Sequence, residues 1–516
     1  MGLCAAISKV SNSNRATKAS LPKKEENNSI AKKFKLSFLA FAVLLLFILS
    51  SSSSPTVSFA ATPSFSTPVN LGSALPGAAQ NPNIAASGSC VYVSYPQTTK
   101  GHGVQMYVRS SSNNGVTFGA AVDVSQNMAG KHNFQRIWAT GSMNAYITWE
   151  QTLSGGAQNI LFSATTNCGA SWSTPKQLNT VTIPSTCPYL CAQPTLTAVG
   201  SDVYVTWTQQ NPFQTAMSPS CAPTKGPGNC EDVFVVASTN GGASFGPNHY
   251  FGNGKYVGGA HEPEIAASGS NVYITFDDQR LYFSESTNNG ASWHSYTTVS
   301  TSENALVLNQ QPTAATNREP HITASGSSVY VVWEANYATS TTTGKEKTFL
   351  QVSSNSGSTW LPVNSPITFG TSGGTWLPIV YAAGSHVYVA WGQIISGTFQ
   401  AEISSSSNGG SSFGSQFNPG QAHDVQLATT GSLVYLMFFD PALPGGSGNH
   451  PAVVESTNGG TSFGSVVDLS LNHAGGTTEV QNDQPQIVIS GSQVCATWLQ
   501  SVGGTQEVLY SHASSP

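Results

Sequence analysis

One short pattern returns eight times along the chain, and it limits the fold more than any other feature. Each copy is a Gly-Ser or similar turn followed by a strand of alternating residues, as in V-G-S-D-V-Y-V-T-W. The copies are 47 to 69 residues apart and end at Tyr95, Trp149, Trp207, Phe276, Trp333, Trp391, Phe438 and Trp498. A period of two predicts β-strands, and this spacing leaves room for several strands in each repeat. The pattern therefore predicts a chain of repeated β-units.

A second motif alternates with the first. It reads S-T-N-G-G-T-S-F at Ser456–Phe463 and has seven copies, which we call Asn boxes. The asparagine at the third place is Asn113, Asn167, Asn240, Asn288, Asn355, Asn408 or Asn458. An Asn side chain bonds to backbone groups just ahead of it, and Gly permits a positive φ. Because none of this requires a charge, we expect the boxes to be structural turns.

The two motifs together give a unit of four strands, which is the plan of a β-propeller blade. Two segments are left over: F-S-T-P-V-N-L (Phe65–Leu71) is a fourth strand without a blade, and E-V-L-Y-S-H-A (Glu507–Ala513) is a third strand without a box. Joining them completes an eighth blade and leaves no exposed inner sheet edge. We predict an all-β propeller of four-stranded blades closed by both chain ends, with eight blades favoured over seven.

The Asn box resembles the Asp box of the sialidase superfamily, S-x-D-x-G-x-T-W, with Asn in place of Asp. Residues 65–513 are thus similar to the BNR-repeat (Asp-box) propellers. The resemblance implies action on glycans. Sialidases hold the carboxylate of an acidic sugar with three arginines, use a tyrosine activated by a glutamate as nucleophile, and an aspartate as acid/base. Arg136 lies in F-Q-R-I-W, faintly like the family's F-R-I-P, but Trp138 replaces the proline and no Tyr/Glu pair can be assigned.

The N-terminal segment differs from the rest of the chain. Eight of the 19 Lys and Arg precede the apolar run Leu36–Leu49, and Ser58-Phe59-Ala60 follows. This order predicts a secretory signal peptide over residues 1–60, cleaved near Ala60, with one propeller domain over residues 61–516. The alternative is an uncleaved N-terminal anchor, the only membrane contact that the sequence suggests. We expect a secreted or cell-surface protein.

Charge and cysteine content limit which ligands and which disulfide or metal sites the chain can have. Without residues 1–60, 11 basic and 22 acidic residues remain, a net charge of −11, which disfavours nucleic acid. Disulfide candidates lie in two Pro- and Gly-rich loops: Cys187, Cys191, Cys221 and Cys230. Zinc is the weaker alternative there because no C-x-x-C spacing occurs. No cofactor is required, and a structural divalent ion has no contiguous ligand loop to support it.

Topology separates two faces of the predicted propeller. The Gly-Ser turns and Asn boxes share one face, and the opposite, loop-bearing face receives the long loops and the starts of the inner strands, where ligands usually bind. Aligning the repeats on the turn places mostly polar pairs at those starts. The ligand-binding candidates among them are His261, Glu262, Arg318, Glu319, Trp376, His423, Asp424 and Asp483. The alternative role for each is channel lining with hydrogen bonds between blades.

Residues that leave the second strands join the same face. They include Glu150, Asp277 and Arg280. Carboxylates, amides, arginine and tryptophan suit a sugar, so the first hypothesis is binding of glycans or surface glycoproteins. The alternative is an exo-acting, sialidase-type glycoside hydrolase on acidic sugars, with Arg136, Arg280 and Arg318 gripping a carboxylate and Asp277 or Glu150 as acid/base. The second alternative is a structural envelope protein.

Overall fold

The computed structural model describes residues 63–73, 77–185, 192–210, 231–251, 261–277, 280–299, 316–339, 342–361, 367–370, 374–443, 449–470, 485–502 and 504–514. All of them belong to one compact unit, Ala60–Pro516. Several predictions from the sequence lie outside these residues: the signal peptide or anchor, the four cysteines Cys187, Cys191, Cys221 and Cys230, and Asp483.

The described chain forms eight antiparallel sheets, seven of them built from consecutive strands, which are the blades of a propeller. From the channel outward, the strands of the first four blades are: blade 1, β2 Asn83–Ser87, β3 Cys90–Thr99, β4 Gly103–Ser111, β5 Val122–Asp123; blade 2, β6 Lys131–Thr140, β7 Asn144–Thr152, β8 Gln158–Thr165, β9 Lys176–Gln177; blade 3, β10 Thr195–Val199, β11 Asp202–Gln210, β12 Glu231–Ser238, β13 His249–Phe251; blade 4, β14 His261–Ser268, β15 Asn271–Asp277, β16 Leu281–Ser286, β17 Thr297–Thr298.

The other four blades follow the same order, except that the outer strand of the last one comes from the start of the chain. Their strands are: blade 5, β18 Thr316–Ser325, β19 Ser328–Thr339, β20 Thr342–Ser353, β21 Ile367–Phe369; blade 6, β22 Thr375–Ala383, β23 His386–Ile395, β24 Thr398–Ser406; blade 7, β25 His423–Thr430, β26 Leu433–Asp440, β27 His450–Ser456, β28 Val467–Asp468; blade 8, β29 Gln486–Ser490, β30 Gln493–Val502, β31 Thr505–Ser514, β1 Val69–Asn70.

Blade 6 has three regular strands among the described residues. In place of a fourth, two isolated bridges join Ile403 to Phe417 and Gln400 to Gln421. The outermost strands of the other blades are only two or three residues long. Blade 6 therefore lacks only a short outer strand compared with them.

Both ends of the chain build blade 8. Val69 pairs with Tyr510 and Asn70 with Leu509, antiparallel. The prediction of eight blades closed by the two terminal segments is confirmed.

The core lies between the blades. The aromatic residue that ends the strand motif is fully buried in Trp149, Trp207, Trp333, Trp391 and Trp498. Each blade is buried on both faces, because its inner strands pack against the blades before and after it. In one such cluster, Phe162 of blade 2 packs with Trp207 and Phe234 of blade 3.

Each Asn box is a hydrogen-bonded turn. In the seventh box the Asn458 Oδ1 accepts from the Ser462 N–H (2.9 Å) and from the Ser456 hydroxyl (3.0 Å), while its Nδ2 donates to the Ser462 hydroxyl (2.7 Å). The Gly460 N–H donates to Ser456 Oγ (2.9 Å). The corresponding Asn side chain accepts and donates in the same way in the other six boxes.

One disulfide joins the first two blades. Cys90 begins β3 and Cys168 lies in the second Asn box, at a sequence separation of 78 and with 5.7 Å between their Cα atoms. This pair is not among the disulfide candidates predicted from the sequence. Cys495 is a buried free thiol among the described residues. In the part of the chain that the structure describes, no helix has the length and hydropathy that a membrane span requires.

Candidate functional site

The inner strands start with a kink on the loop-bearing face. One residue of the predicted pair has a positive φ in the seven blades where the pair is described: Asn81, Phe134, Ala192, Glu262, Glu319, Leu377 and Asp424. In blades 2, 4, 5, 6 and 7 the register of the first and second strands also shifts here. A β-bulge of this kind re-aims a side chain, and positive φ at a residue with a Cβ costs of order 1 kcal/mol. We call these positions, each with the neighbouring residue of its predicted pair, the mouth ring.

Two carboxylates of the mouth ring connect neighbouring blades. The Glu262 Oε2 accepts from the Glu319 N–H at 2.7 Å, and the Glu319 Oε2 accepts from the Leu377 N–H at 2.7 Å. The N–H groups on the inner edge of a blade have no strand partner, so these side chains satisfy them. For Glu262 and Glu319 the structure therefore supplies the inter-blade contact that was the alternative to ligand binding.

Other members of the mouth ring are described less fully. His261, Arg318 and His423 lie in the described backbone of β14, β18 and β25, but their side chains lie outside what the structure describes. Asp424 is half-buried beside His423. The role of these residues in ligand binding stays a prediction.

The predicted arginines fall at different places. Arg136 follows the bulge of β6, is exposed, and donates from Nη1 to the Gln135 carbonyl at 3.2 Å. Arg280 is exposed just before β16. Because the side chain of Arg318 is outside the described part, a grip by all three arginines stays a prediction.

The carboxylates that end the second strands are buried. Glu150 is 3% exposed and accepts from the Thr152 hydroxyl (2.6 Å) and from Gln158 Nε2 (3.1 Å). Burial raises the pKa of Glu150 to about 7. Asp277 is 8% exposed. Both predicted acid/base candidates thus lie within the blades in this conformation.

Trp376 forms an aromatic platform at the mouth of blade 6. It pairs with Gly392, and a Cβ on that glycine would lie 2.4 Å from the indole Cε2, so the indole lies against the bare backbone. The Phe399 ring meets the indole edge-on, with centroids 4.7 Å apart and planes at 82°. Phe399 is 43% exposed and Trp376 is partly exposed. We call these three residues the Trp376 platform.

A second group of side chains lies deeper, along the channel. It consists of residues that follow the mouth ring on four inner strands: Arg136, Trp138, Glu264, His321 and Tyr381. At about 3.3 Å per residue, Arg136, Glu264 and His321 lie roughly 7 Å below the ring and Trp138 and Tyr381 roughly 13 Å below it. We call this group the channel cluster. The alignment of the repeats that predicts the ring also reaches Arg136, Glu264 and His321, two residues further along each strand.

The channel cluster is electrostatically coupled. Burial raises the pKa of Glu264 to about 7; the charge of Arg136 opposes this shift and that of Glu262 adds to it. Burial, with a contribution from Arg136, lowers the pKa of His321 to about 4. Burial and the charge of Glu264 raise the pKa of Tyr381. At neutral pH His321 is therefore neutral and Tyr381 keeps its proton.

Direct contacts join the cluster to the channel wall. The His321 Nδ1 accepts from the Val380 N–H at 3.3 Å, and the His321 and Tyr381 rings are 5.6 Å apart. The Trp138 Nε1 donates to the Ala198 carbonyl of blade 3 at 3.0 Å. Trp138 is nevertheless 43% exposed and Arg136 is exposed. The channel therefore admits water to these side chains.

Among the described residues, no three His, Cys, Asp or Glu side chains come together in a way that could hold a metal ion.

Comparisons with known proteins extend no further than the fold. No family model and no curated protein matches the chain. Among solved structures, it is similar to a Dyadobacter fermentans protein of unknown function (18% identity, 63% of this chain, 95% of that chain, TM-score 0.40). It is also similar to a PL25 ulvan lyase (10%, 75%, 92%, TM-score 0.43) and to the phage phi92 endosialidase (10%, 88%, 69%, TM-score 0.38). At these values the likeness carries no argument about activity.

Proposed function

We propose that this propeller binds glycans, or the glycans of surface proteins, through its loop-bearing face. The observation that carries the proposal is the Trp376 platform, in which an indole lies on a bare glycine with a partly exposed phenylalanine at its edge. The apolar faces of sugar rings stack on such aromatic surfaces, and the polar groups of the mouth ring and channel can hydrogen-bond their hydroxyls.

Secretion or display at the cell surface belongs to the same proposal. The disulfide between Cys90 and Cys168 suits an oxidising compartment. The long, weakly charged β-repeat and the negative charge of the exported part suit soluble or surface glycan partners rather than nucleic acid.

A glycan array probed with the purified protein tests the proposal, followed by affinity electrophoresis in gels that contain the best soluble polysaccharide. We expect Trp376→Ala and Phe399→Ala to weaken binding at least about tenfold, because each removes part of the stacking surface. Tyr250→Ala is the matched control: Tyr250 is 41% exposed but lies in β13, on the outer edge of blade 3.

Two results would contradict this assignment. Binding that survives Trp376→Ala but is lost with Tyr250→Ala would move the site to the outside of the propeller. An absence of binding to any glycan would favour the structural envelope protein instead.

The second candidate is an exo-acting glycoside hydrolase of the sialidase type. One observation favours it: Glu264, with a pKa of about 7, lies within electrostatic reach of Arg136 and Tyr381. A carboxyl group with such a pKa is suited to proton transfer at neutral pH. An acidic sugar as substrate follows only from the resemblance of the Asn boxes to Asp boxes.

Fluorogenic glycosides of acidic and neutral sugars test the hydrolase. The hydrolase is supported if the wild type releases the fluorophore, Glu264→Gln abolishes this release and Glu285→Gln retains it. Inactivity across the whole panel between pH 4 and 8 would leave binding as the function.

A further inference from the structure

We propose that the channel cluster holds one neutral sugar residue at the end of a glycan chain or branch, which enters the channel from the loop-bearing face. The inference rests on the proposed function and adds to it where the glycan ends and which kind of sugar is selected.

The first reason is that two charged groups in the channel make few hydrogen bonds within the described part of the chain. In the described part of the chain, the Arg136 guanidinium makes one hydrogen bond, to the Gln135 carbonyl. The Glu264 carboxyl makes no hydrogen bond or ion pair with a described residue, although the two opposite charges influence each other. Buried or half-buried polar groups are normally satisfied. Here both are free to bind the hydroxyl groups of a ligand.

His321 and Tyr381 add hydrogen-bonding groups of known polarity. Because the His321 Nδ1 accepts from the Val380 N–H, the proton of the neutral ring is on Nε2, which is left as a donor. The Tyr381 hydroxyl, which keeps its proton at neutral pH, both donates and accepts. With Arg136 as donor and Glu264 as acceptor, the cluster matches the mixed donors and acceptors of a sugar ring.

Aromatic surfaces complete the site. The Trp138 indole is fixed by its hydrogen bond to the Ala198 carbonyl but remains 43% exposed. The Tyr381 ring, which belongs to β22, lies beside the His321 ring. Aromatic walls of this kind contact the C–H groups of a sugar.

The described carboxylates at the entrance disfavour an acidic sugar. The described side chains of the mouth ring include the carboxylates of Glu262, Glu319 and Asp424 and no cation. Glu262 is close enough to raise the pKa of Glu264. An anionic sugar would pass these carboxylates to reach Arg136, whereas a neutral sugar is not repelled.

The position in the channel selects for a chain end. The cluster is supplied by the inner strands of blades 2, 4, 5 and 6, roughly 7 to 13 Å below the mouth ring. A terminal residue or a single-residue branch can reach this depth. An internal residue of a linear chain cannot, because both of its neighbours would have to leave through the same mouth.

The test is saturation-transfer NMR with the full-length protein and the methyl glycosides of neutral sugars (glucose, galactose, mannose, xylose, arabinose) and of acidic sugars (glucuronic acid, galacturonic acid, N-acetylneuraminic acid). We expect a neutral sugar to bind and Arg136→Gln or Glu264→Gln to weaken it at least tenfold. Glu285→Gln is the matched control, because Glu285 contacts His294 near the fourth Asn box. Thermal melting of each variant checks that it is folded.

Four results would overturn the inference. Binding of acidic but not neutral sugars would show that the charge of the entrance does not select. Neutral binding that resists both channel substitutions would place the sugar elsewhere. If no monosaccharide binds but a polysaccharide still binds through Trp376, the channel site is refuted and the proposed function stands. If no glycan binds at all, both are refuted.

Discussion

Val69 pairs with Tyr510, which lies near the other end of the chain, and this pairing closes the ring. Neighbouring contacts strengthen it: the Ser66 N–H donates to the His512 carbonyl at 2.7 Å, and the Leu71 N–H donates to the Val508 carbonyl at 2.8 Å. Leu71 is buried in the cluster between blades 8 and 1. The N-terminal strand is thus part of the core of blade 8.

Deleting residues 63–71 should destabilise the whole propeller, because it removes the outer strand of blade 8 and the buried Leu71. The lost burial and hydrogen bonds are worth on the order of 3 kcal/mol. Urea unfolding followed by tryptophan fluorescence measures the change. Val69→Thr is the control, since Val69 is 53% exposed and its backbone pairing would remain. Equal stability of the deletion variant and the wild type would contradict the closure as a stabilising contact.

Removing the disulfide should lower stability. The double variant Cys90→Ala/Cys168→Ala opens a loop with a sequence separation of 78, for which loop entropy alone predicts a loss of about 4 kcal/mol. A reducing agent should lower the melting temperature of the wild type to that of the double variant and leave the variant unchanged. A reductant effect of equal size on both proteins would point to another cysteine pair.

Replacing an Asn box residue should affect stability and leave ligand binding intact. Asn458→Ala removes the acceptor for the Ser462 N–H and should cost about 1–2 kcal/mol. Asn458→Asp keeps that acceptor, and the Ser462 hydroxyl can turn to donate to it, so the cost should be much smaller. Denaturant unfolding compares the two variants. A glycan-binding defect in Asn458→Ala at unchanged stability would give the box a direct functional role.

Glu150 should make stability depend on pH. Burial raises its pKa in the folded protein to about 7, above the ordinary 4.5, so folding favours the protonated form. Its contribution is fully present below pH 4.5 and is lost as pH rises through 7. Glu150→Gln should therefore be more stable than the wild type at pH 8, by on the order of 2 kcal/mol, and show no such gain at pH 4.5. A difference that is the same at both pH values would contradict the burial of an ionisable group here.

Gly392→Ala should displace the Trp376 indole, because the new Cβ would come within 2.4 Å of it. We expect glycan binding to fall as far as in Trp376→Ala. Gly414→Ala is the control: its Cβ would meet nothing closer than the Ser405 carbonyl oxygen at 3.6 Å. Affinity electrophoresis compares the two, and full binding by Gly392→Ala would show that the indole position does not matter.

The fold could be predicted almost completely, and the candidate site only in part. The Gly-Ser strands and Asn boxes are local sequence signals. Their regular alternation along the chain predicts the blades, the closure of the ring and the two faces. The mouth ring followed from the same alignment, but the backbone bonds from Glu262 to blade 5 and from Glu319 to blade 6 did not. Those contacts depend on which side chain a bulge turns toward the neighbouring blade.

The sequence by itself determined the repeat and the alternating pattern that buries the second strand of each blade, because both depend on periodicity. It also determined the pairing of the two chain ends, because the backbone groups at a strand edge need hydrogen-bond partners. Only the tertiary structure decided that Cys90 meets Cys168, that Glu150 and Asp277 are buried, and that Arg136, Glu264, His321 and Tyr381 share one channel. These residues are far apart in the chain, and the closed ring brings them together. The burial of Glu150 and Asp277 and the pKa shifts of Glu264, His321 and Tyr381 follow from that closure and from no local pattern.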